Sequence, residues 1–448
     1  MNLLLLIAFI TVLIWIYYQE QRERPRVTRT TWIVVVWAVI YGSRPVTEWF
    51  SQTGGGGLAE SVDEGNPIEA MISILFLLVG SVVLLRRKLR WDTVLKENTA
   101  VVVFYVFWWL SILWSDYPLI TFKRLFKEFG AVIMALVVLT ELAPAEAIKA
   151  IFVRMSYLCI PLSVILIRYF PEWGRAYVGY DKSEVMWVGV ATHKNTLGVL
   201  AMVGAVFLLW DILEGWPKGA RRPPRAFLAS RLITLGSCWY LLLIVNSVTS
   251  LLCAVLGSVL LLVLHRTGIR NRPIRLELIG GCLIAVILIL EYLVGIKEDF
   301  LDAMGRDPTL TTRTEIWPML IELQPNAFLG AGFNTFWAGE RLRISFEKFG
   351  GIFQAHNGYL ETYLNGGWFG ISVLVGVLVA AYLRIRKRLI VGAPDAGIRL
   401  VVLIIAVVYN YSEASFNKIG VLWLLTVIVL MQSLPGSVFA QATCRTRY

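Results

Sequence analysis

Residues 195–213 read NTLGVLAMVGAVFLLWDIL, with Asp211 the single ionisable side chain. As an α-helix this stretch rises about 28 Å, close to the roughly 30 Å of hydrocarbon in a bilayer. Lipid offers no partner to backbone N–H and C=O groups, so such a block must satisfy them internally as a helix. Similar apolar blocks recur at about 3–18, 31–43, 68–85, 99–114, 128–142, 150–168, 232–246, 248–265, 276–293, 361–383, 400–411 and 419–433. Composition agrees: 57% of the 448 residues are hydrophobic and 16% charged, where a soluble domain carries about 25% charge. The fold class is therefore an all-α polytopic membrane protein. About 11–13 transmembrane helices are expected, because some blocks are short and the pair around Asn246 could be one bent element.

Charge gives the orientation. The formal net charge is +11, which in a soluble chain would suggest nucleic acid. Here the basic residues gather in alternate connections, from Arg22–Arg29 and Arg86–Lys96 through Lys218–Arg231 and Arg266–Arg275 to Arg384–Arg399. Those connections face the cytoplasm by the positive-inside rule, so no nucleic-acid partner is expected. Thirteen spans with the N-terminus outside fit the alternation. Expected units are N-terminal spans (1–98), central spans with outer loops 115–127 and 169–194 (99–293), a large, partly helical periplasmic loop between the tenth and eleventh spans (294–360), C-terminal spans (361–433) and a cytoplasmic tail (434–448). Cys159, Cys238, Cys253, Cys282 and Cys444 follow no metal-ligand spacing and are expected as thiols without a disulfide framework. The block from Asn2 to Tyr18 lacks a basic n-region and reads as a first span, not a signal peptide.

The middles of the expected spans hold almost no ionisable groups. Arg154, Asp211, Glu291 and Glu361 fall near span ends, where snorkelling accounts for them. A coupled carrier needs charge at the midplane, so this scarcity counts against one. The outer segments instead keep Lys123, Arg124, Lys127, Arg168, Arg175, Lys182, Lys194, Arg306, Arg313, Arg341 and Arg343, against the topology rule. Pairing with Asp181, Glu184, Asp307 or Glu315 is the plain account of any single one. As a group they suit an anion, and a guanidinium fork matches phosphate oxygens. At the mouth of the seventh span, in Val190–Gly198, Thr192 or Asn195 is expected to cap the helix, with His193 and Lys194 beside it. A second stretch, Ala355–Leu364 followed by Gly366-Gly367-Trp368-Phe369-Gly370, contains His356 and Asn357. The chain has three histidines, and His265 sits at a cytoplasmic helix end, which leaves His356 as the candidate base near neutral pH. A structural loop histidine is the plain alternative.

Four motifs resemble the O-antigen ligase and polysaccharide polymerase family of bacterial inner-membrane glycosyltransferases. They are Trp114-Ser115-Asp116-Tyr117-Pro118 with Lys123-Arg124; Gly174-Arg175-Ala176-Tyr177 leading to His193-Lys194-Asn195-Thr196-Leu197-Gly198; Asp307–Trp317 with Gly330-Ala331-Gly332-Phe333; and the His356-Asn357 segment. They cover roughly residues 100–380; the family usually has Gly before the arginine of the third motif, where this chain has Thr312. The resemblance implies transfer of a glycan from undecaprenyl diphosphate to a sugar hydroxyl at the periplasmic face, with inversion and without nucleotide sugar or metal. It implies that Arg175 and Arg313 bind the diphosphate and that His356 activates the acceptor. Position adds Arg124, Lys194, His193 and Asn357 as substrate contacts, and Glu361 or Glu315 as an orienting acid or alternative base. The Gly-Arg-Ala-Tyr run leans toward polymerising exopolysaccharide on a growing glycan over ligation to lipid A core. A flippase for lipid-linked saccharides, and a non-enzymatic subunit of a polysaccharide assembly complex, are the readings of other classes.

Overall fold

The computed structural model describes residues 2–50, 66–178, 184–215, 224–266, 272–275, 277–278, 280–281, 313–349 and 354–433. The longer helices among these are α1 (Asn2–Glu23), α2 (Thr31–Gly42), α3 (Pro67–Arg86), α4 (Thr99–Leu110), α5 (Pro118–Leu139), α6 (Pro144–Tyr169), α7 (Lys194–Glu214), α8 (Arg225–Ile244), α9 (Val248–Arg266), α10 (Arg313–Glu322), α11 (Gly339–Phe349), α12 (Gly358–Ile390), α13 (Ala396–Ser412) and α14 (Val421–Leu430). Seven are long and apolar enough to cross a membrane: α1, α3, α6, α7, α8, α9 and α12. Every expected span meets a helix except 276–293, which lies mostly outside the described residues, as do 294–312, the tail 434–448, Cys282 and Cys444. The other three cysteines are buried free thiols. A small antiparallel hairpin, β1 (Arg175–Val178) with β2 (Glu184–Trp187), interrupts the 169–194 segment.

The apolar block at 195–213 is α7, and it packs against α6, α8 and α9. Gly204 makes this possible: a Cβ there would sit 2.9 Å from Cys238 Sγ on α8 and 3.0 Å from Ser156 Oγ on α6. Small residues at helix contacts let backbones approach where lipid gives no hydrophobic drive.

Two expectations need correcting. The outer loop 115–127 is mostly helix, because Pro118 opens α5: its missing N–H is no loss in a first turn, and its φ is already helical. Around Asn246 the two blocks are two helices, as their separate spans predict and not one bent element, parted where Asn246 adopts φ 52°. Arg154 and Asp211 do not snorkel. Arg154 is fully buried and donates through Nε to Glu20 at 2.5 Å, and Glu20 also accepts from Arg24 at 3.0 Å. Arg24 and Arg231 both reach Asp211, at 2.7 and 3.0 Å. α1 is otherwise thinly packed, with Leu4, Ile10 and Ile14 exposed, so these buried pairs tie it to α6, α7 and α8. Glu128, at the edge of the expected span 128–142, lies buried halfway along the longer helix α5.

α12 is broken. Gly367 has φ 58° and ψ −158°, a backbone state open to glycine and costly for other residues. The 327–332 segment docks at this break. Trp368 N donates to Ala327 O (2.9 Å), Phe369 N to Phe328 O (3.1 Å), Ala331 N to Leu364 O (3.1 Å) and Gly332 N to Asn365 O (2.9 Å). Irregular backbone at membrane depth is tolerated where other protein groups re-satisfy it, and this segment does so.

Candidate active site

Just before α12 the chain turns sharply. His356 is held at φ 50°, a left-handed value uncommon for a non-glycine residue. Neighbouring bonds fix it there. Ala355 N donates to Glu361 Oε1 (2.8 Å), Asn357 Oδ1 caps the helix by accepting from Tyr359 N and Leu360 N (3.0 Å each), and Gly358 N donates to Glu413 O (3.0 Å). Backbone strain kept by surrounding bonds is a recurrent mark of functional positions. The result is a half-buried imidazole whose Nδ1 lies 3.3 Å from Glu413 Oε2. The other oxygen of Glu413 accepts from Asn195 Nδ2 at 2.9 Å. Glu413 follows the last residue of α13 in extended conformation, so the ends of α7, α12 and α13 meet at this pair.

His193 stands beside it. The helix cap of α7 is this histidine, not Thr192 or Asn195: its Nδ1 accepts from Asn195 N at 3.2 Å. A ring nitrogen that accepts must be unprotonated. Loss of solvation first, with Lys194 and His356 nearby, holds the His193 pKa below the ordinary histidine value, although Glu413 pulls the other way. The loop leading to it is clamped by Arg44, whose guanidinium donates to Trp173 O (2.5 Å), Gly189 O (2.9 Å) and Ala191 O (3.0 Å). That guanidinium also lies over the rings of Trp49 and Trp173.

Two cavities open here. A cleft of about 760 Å³ is lined by polar side chains that include His193, His356, Glu413, Lys127 and Lys418, and by apolar ones that include Ile40, Val199, Leu200 and Leu422. A chamber of about 320 Å³ is lined by Arg124, Lys127, Glu128, Asn334, Trp337, Glu361, Lys418 and Ile419. Lys127, Lys418 and Ile419 belong to both. Lys418 Nζ donates to Glu361 Oε1 at 3.2 Å, and Trp337 Nε1 donates to Glu361 Oε2 at 2.9 Å. Arg124 and Asn334 are joined through the Asn334 carbonyl, and Asn334 Nδ2 donates to Asn417 O at 2.7 Å. Among the described residues, no group of three or more His, Cys, Asp or Glu side chains is arranged to hold a metal ion.

The expected residues divide. His356, His193, Arg124 and Glu361 line one or other cavity. Glu361 is committed to Lys418, Trp337 and Ala355 N, and the acid beside His356 is Glu413. Asn357 is a helix cap and Lys194 opens α7; neither is a lining residue. Arg175 is also off the lining: its Nε donates to Ile167 O at 3.1 Å and its guanidinium covers Trp187. Arg313 begins α10, and Trp317 one turn on donates through Nε1 to Ala355 O at 3.0 Å, so that helix starts close to the His356 turn. The side chains of Arg313 and Glu315 lie outside what the structure describes. Two outer cations have acid partners, Arg341 with Asp116 and Arg343 with Glu340 and Glu347. The residues missed from sequence are Glu413, Lys418, Glu128 and Asn334.

A family model described as O-antigen ligase matches residues 232–375. The chain is also 27% identical over 304 residues to the exopolysaccharide production protein ExoQ of Rhizobium meliloti (strain 1021), which covers 65% of this chain and 66% of that protein. These matches support the O-antigen ligase and exopolysaccharide polymerase family. The match to the O-antigen ligase model takes in the His356 turn, Glu361 and the Gly367 break and ends before Glu413 and Lys418. The relative is matched over just under two thirds of its own length.

Proposed function

We propose that this protein transfers glycan from an undecaprenyl-diphosphate-linked donor to a sugar hydroxyl at the periplasmic face of the bacterial inner membrane, extending exopolysaccharide. The observation that carries the reading is the His356–Glu413 pair, set in a cleft that also holds Lys127 and Lys418. With Nδ1–H turned toward Glu413, His356 presents Nε2 as the base. The acceptor hydroxyl gives its proton to Nε2, its oxygen attacks C1 of the donor sugar, and the C1–O bond to diphosphate breaks. The electron pair goes to the departing phosphate oxygen, where Lys127, Lys418 and Arg124 neutralise it. Attack opposite the leaving group inverts the anomeric centre. Diphosphate is already a good leaving group, so positioning and charge stabilisation account for most of the acceleration. The apolar side chains lining the cleft suit a polyprenyl chain, and Arg313, at the start of α10, is a further candidate for the diphosphate.

The test is reconstitution in liposomes with undecaprenyl-diphosphate-linked repeat units, comparing wild type with His356→Ala. Longer lipid-linked chains from wild type and none from the variant are expected. Glycan moved only between leaflets, with no new linkage, would replace this reading with a carrier. Product found on lipid A core and not on growing glycan would make the protein a ligase with the same donor chemistry. Polymer made only when other components of an assembly complex are added, and made equally with His356→Ala, would reduce it to a structural subunit.

A further inference from the structure

The three helices that frame the candidate site carry a second charged cluster at their other ends. α12 leads from Glu361 in its first turn to Arg384, Lys387 and Arg388 near its last, about 35 Å along the helix. α13 runs from Arg399 in its first turn to Glu413 just past its end, and α14 from just after Lys418 to Met431. A cavity of about 120 Å³ opens between the far ends, lined by Arg384, Lys387, Arg388 and Arg399 beside the apolar Val429 and Met431. No acid is among its described lining residues. Anchoring of α14 accounts for two of the four cations. Arg384 donates to Leu430 O (2.5 Å), and Arg399 to Ile428 O (3.0 Å) and Met431 O (2.9 Å), carbonyls that a helix C-terminus leaves open. Asp395 bonds to Arg399 and Arg388 and is the one carboxylate within ion-pair distance of any of the four, among the described residues. Glu97 lies near Arg384 and meets it through its backbone carbonyl at 3.3 Å. Setting these two acids against four cations leaves two positive charges in excess. Lys387 is left without an acid partner, and Arg388 Nε is buried without a hydrogen-bond partner among the described residues.

The surroundings select the anion. Leu383, Lys387 and Ile390 recur at i, i+4 and i+7, so they share one face of α12. Leu383 and Ile390 are each about half exposed, and Lys387 is exposed between them. α12 is long and apolar enough to span a membrane, and an exposed apolar face on such a helix meets acyl chains. Lys387 thus belongs both to the cavity lining and to the lipid-facing stripe. A free phosphate would meet the cations and gain nothing from the stripe, and a zwitterionic headgroup would bring a further cation to a site already rich in them. Basic pockets between helices at a membrane boundary attract anionic headgroups. We propose that this cavity binds the phosphate of an anionic phospholipid, in the leaflet away from the candidate active site, with the acyl chains along the Leu383–Ile390 face. Lys387 Nζ and Arg388 Nε–H are the donors to the phosphate oxygens, each a charge-assisted hydrogen bond. The volume equals about four waters, which admits one phosphate group and leaves the rest of the lipid outside. The site is separate from the glycan chemistry and stands whether or not that reading does.

The test is lipid binding to the full-length protein in mild detergent, followed by native mass spectrometry and by the rise in unfolding midpoint. Three probes are titrated: dioleoyl phosphatidylglycerol, dioleoyl phosphatidylcholine and inorganic phosphate. Phosphatidylglycerol should bind in preference to the other two. Lys387→Gln should weaken its binding about fivefold, the worth of one basic residue near a membrane surface. Arg386→Gln removes the same charge from the same helix outside the cavity lining and should change it little. Arg388→Lys keeps a cation for Asp395 and loses the Nε–H; a loss of about tenfold is expected there, and it carries the test if Lys387→Gln fails to fold. Equal weakening by Lys387→Gln and Arg386→Gln would overturn the site, leaving a diffuse attraction of basic residues for lipid. Phosphatidylcholine bound as tightly as phosphatidylglycerol would leave only the apolar stripe, and inorganic phosphate bound as tightly would make the occupant a free anion; either result overturns the proposal. So does unchanged phosphatidylglycerol affinity in both Lys387→Gln and Arg388→Lys.

Discussion

Glu413→Gln is the sharpest probe of the reaction centre. In the wild type, Glu413 Oε2 stands 3.3 Å from His356 Nδ1 while Oε1 accepts from Asn195 Nδ2 at 2.9 Å. Glutamine has the same shape. Its carbonyl oxygen can keep the Asn195 bond, which turns its NH₂ toward His356. That NH₂ donates, so Nδ1 must become the acceptor and the proton moves to Nε2, the nitrogen needed as base. The substitution therefore attacks the tautomer and leaves the packing alone. A hydrogen bond to a charged group contributes about 1.5–3 kcal/mol, and each 1.36 kcal/mol is tenfold in rate. The contact is long, so the low end applies, and kcat should fall about 10- to 30-fold while KM for the lipid-linked donor stays within about twofold. Single-turnover transfer in liposomes measures kcat, and donor titration measures KM. Wild-type kcat in Glu413→Gln, alongside an inactive His356→Ala, would refute the pairing as the basis of catalysis. A rise in KM alone would make Glu413 a binding residue.

Three further outcomes follow from the same geometry. Lys418→Gln removes one of the two cations common to cleft and chamber and leaves the buried Glu361 without its ion-pair partner; donor KM should rise about tenfold or more, and a donor KM equal to wild type would exclude Lys418 from phosphate binding. Arg44→Gln strips the donor from three loop carbonyls and its cover from Trp49 and Trp173, so the protein should lose about 2–4 kcal/mol, read as a lower unfolding midpoint in detergent. His193 is held below the ordinary histidine pKa, so the stability of its neutral cap is present above about pH 6.5 and is lost as pH falls through the lowered value. His193→Asn keeps a good capping residue without a titrating ring; its melting temperature should fall less on acidification than that of wild type, and parallel curves for the two would contradict the cap assignment.

The spanning helices are legible in the sequence because each is a local property. The block at 195–213 announces α7 to within a residue of its observed start and end. Boundaries set by one turn are harder: Pro118 extends α5 upward by ten residues over what hydropathy marks as loop, and this puts Lys123, Arg124 and Lys127 on a helix face. The site is legible in halves. His356 stands out because histidine is rare here, whereas its acid lies 57 residues away and the residue fixing that acid 218 away. No periodicity connects such positions. One signal does exist. The short 412–418 connection, with Glu413, Asn417 and Lys418 at its edge, falls on the same side as the long loop by the alternation of basic residues. Glu361 reads as the natural partner for His356 from its spacing, but one turn of helix carries it to the opposite side of the turn, toward Lys418 and Trp337. Glu128 escapes notice because it stands at the edge of an apolar block, where hydropathy counts it as interface.

The break in α12 explains how such scattered residues stay in register. An unbroken helix would leave the 327–332 segment without backbone partners, and a loop at that depth would be costly. With Gly367 turned out of helical geometry, four backbone hydrogen bonds lock that segment to the halves of α12. The same segment runs directly into Asn334 and Trp337, which line the chamber, and Asn334 reaches across to Asn417 beside Lys418. On the other side, the outer half of α12 carries Glu361 in its first turn and His356 just before it. One kink thus fixes the proposed base His356, the acid that holds Lys418, and the chamber residues Asn334 and Trp337 relative to one another. Charged groups set around a leaving diphosphate accelerate the reaction only if they need not reorganise when charge develops. In the proposed reaction the broken helix serves that condition through its neighbours, Glu361 holding Lys418 and the docked segment presenting Asn334 to Arg124.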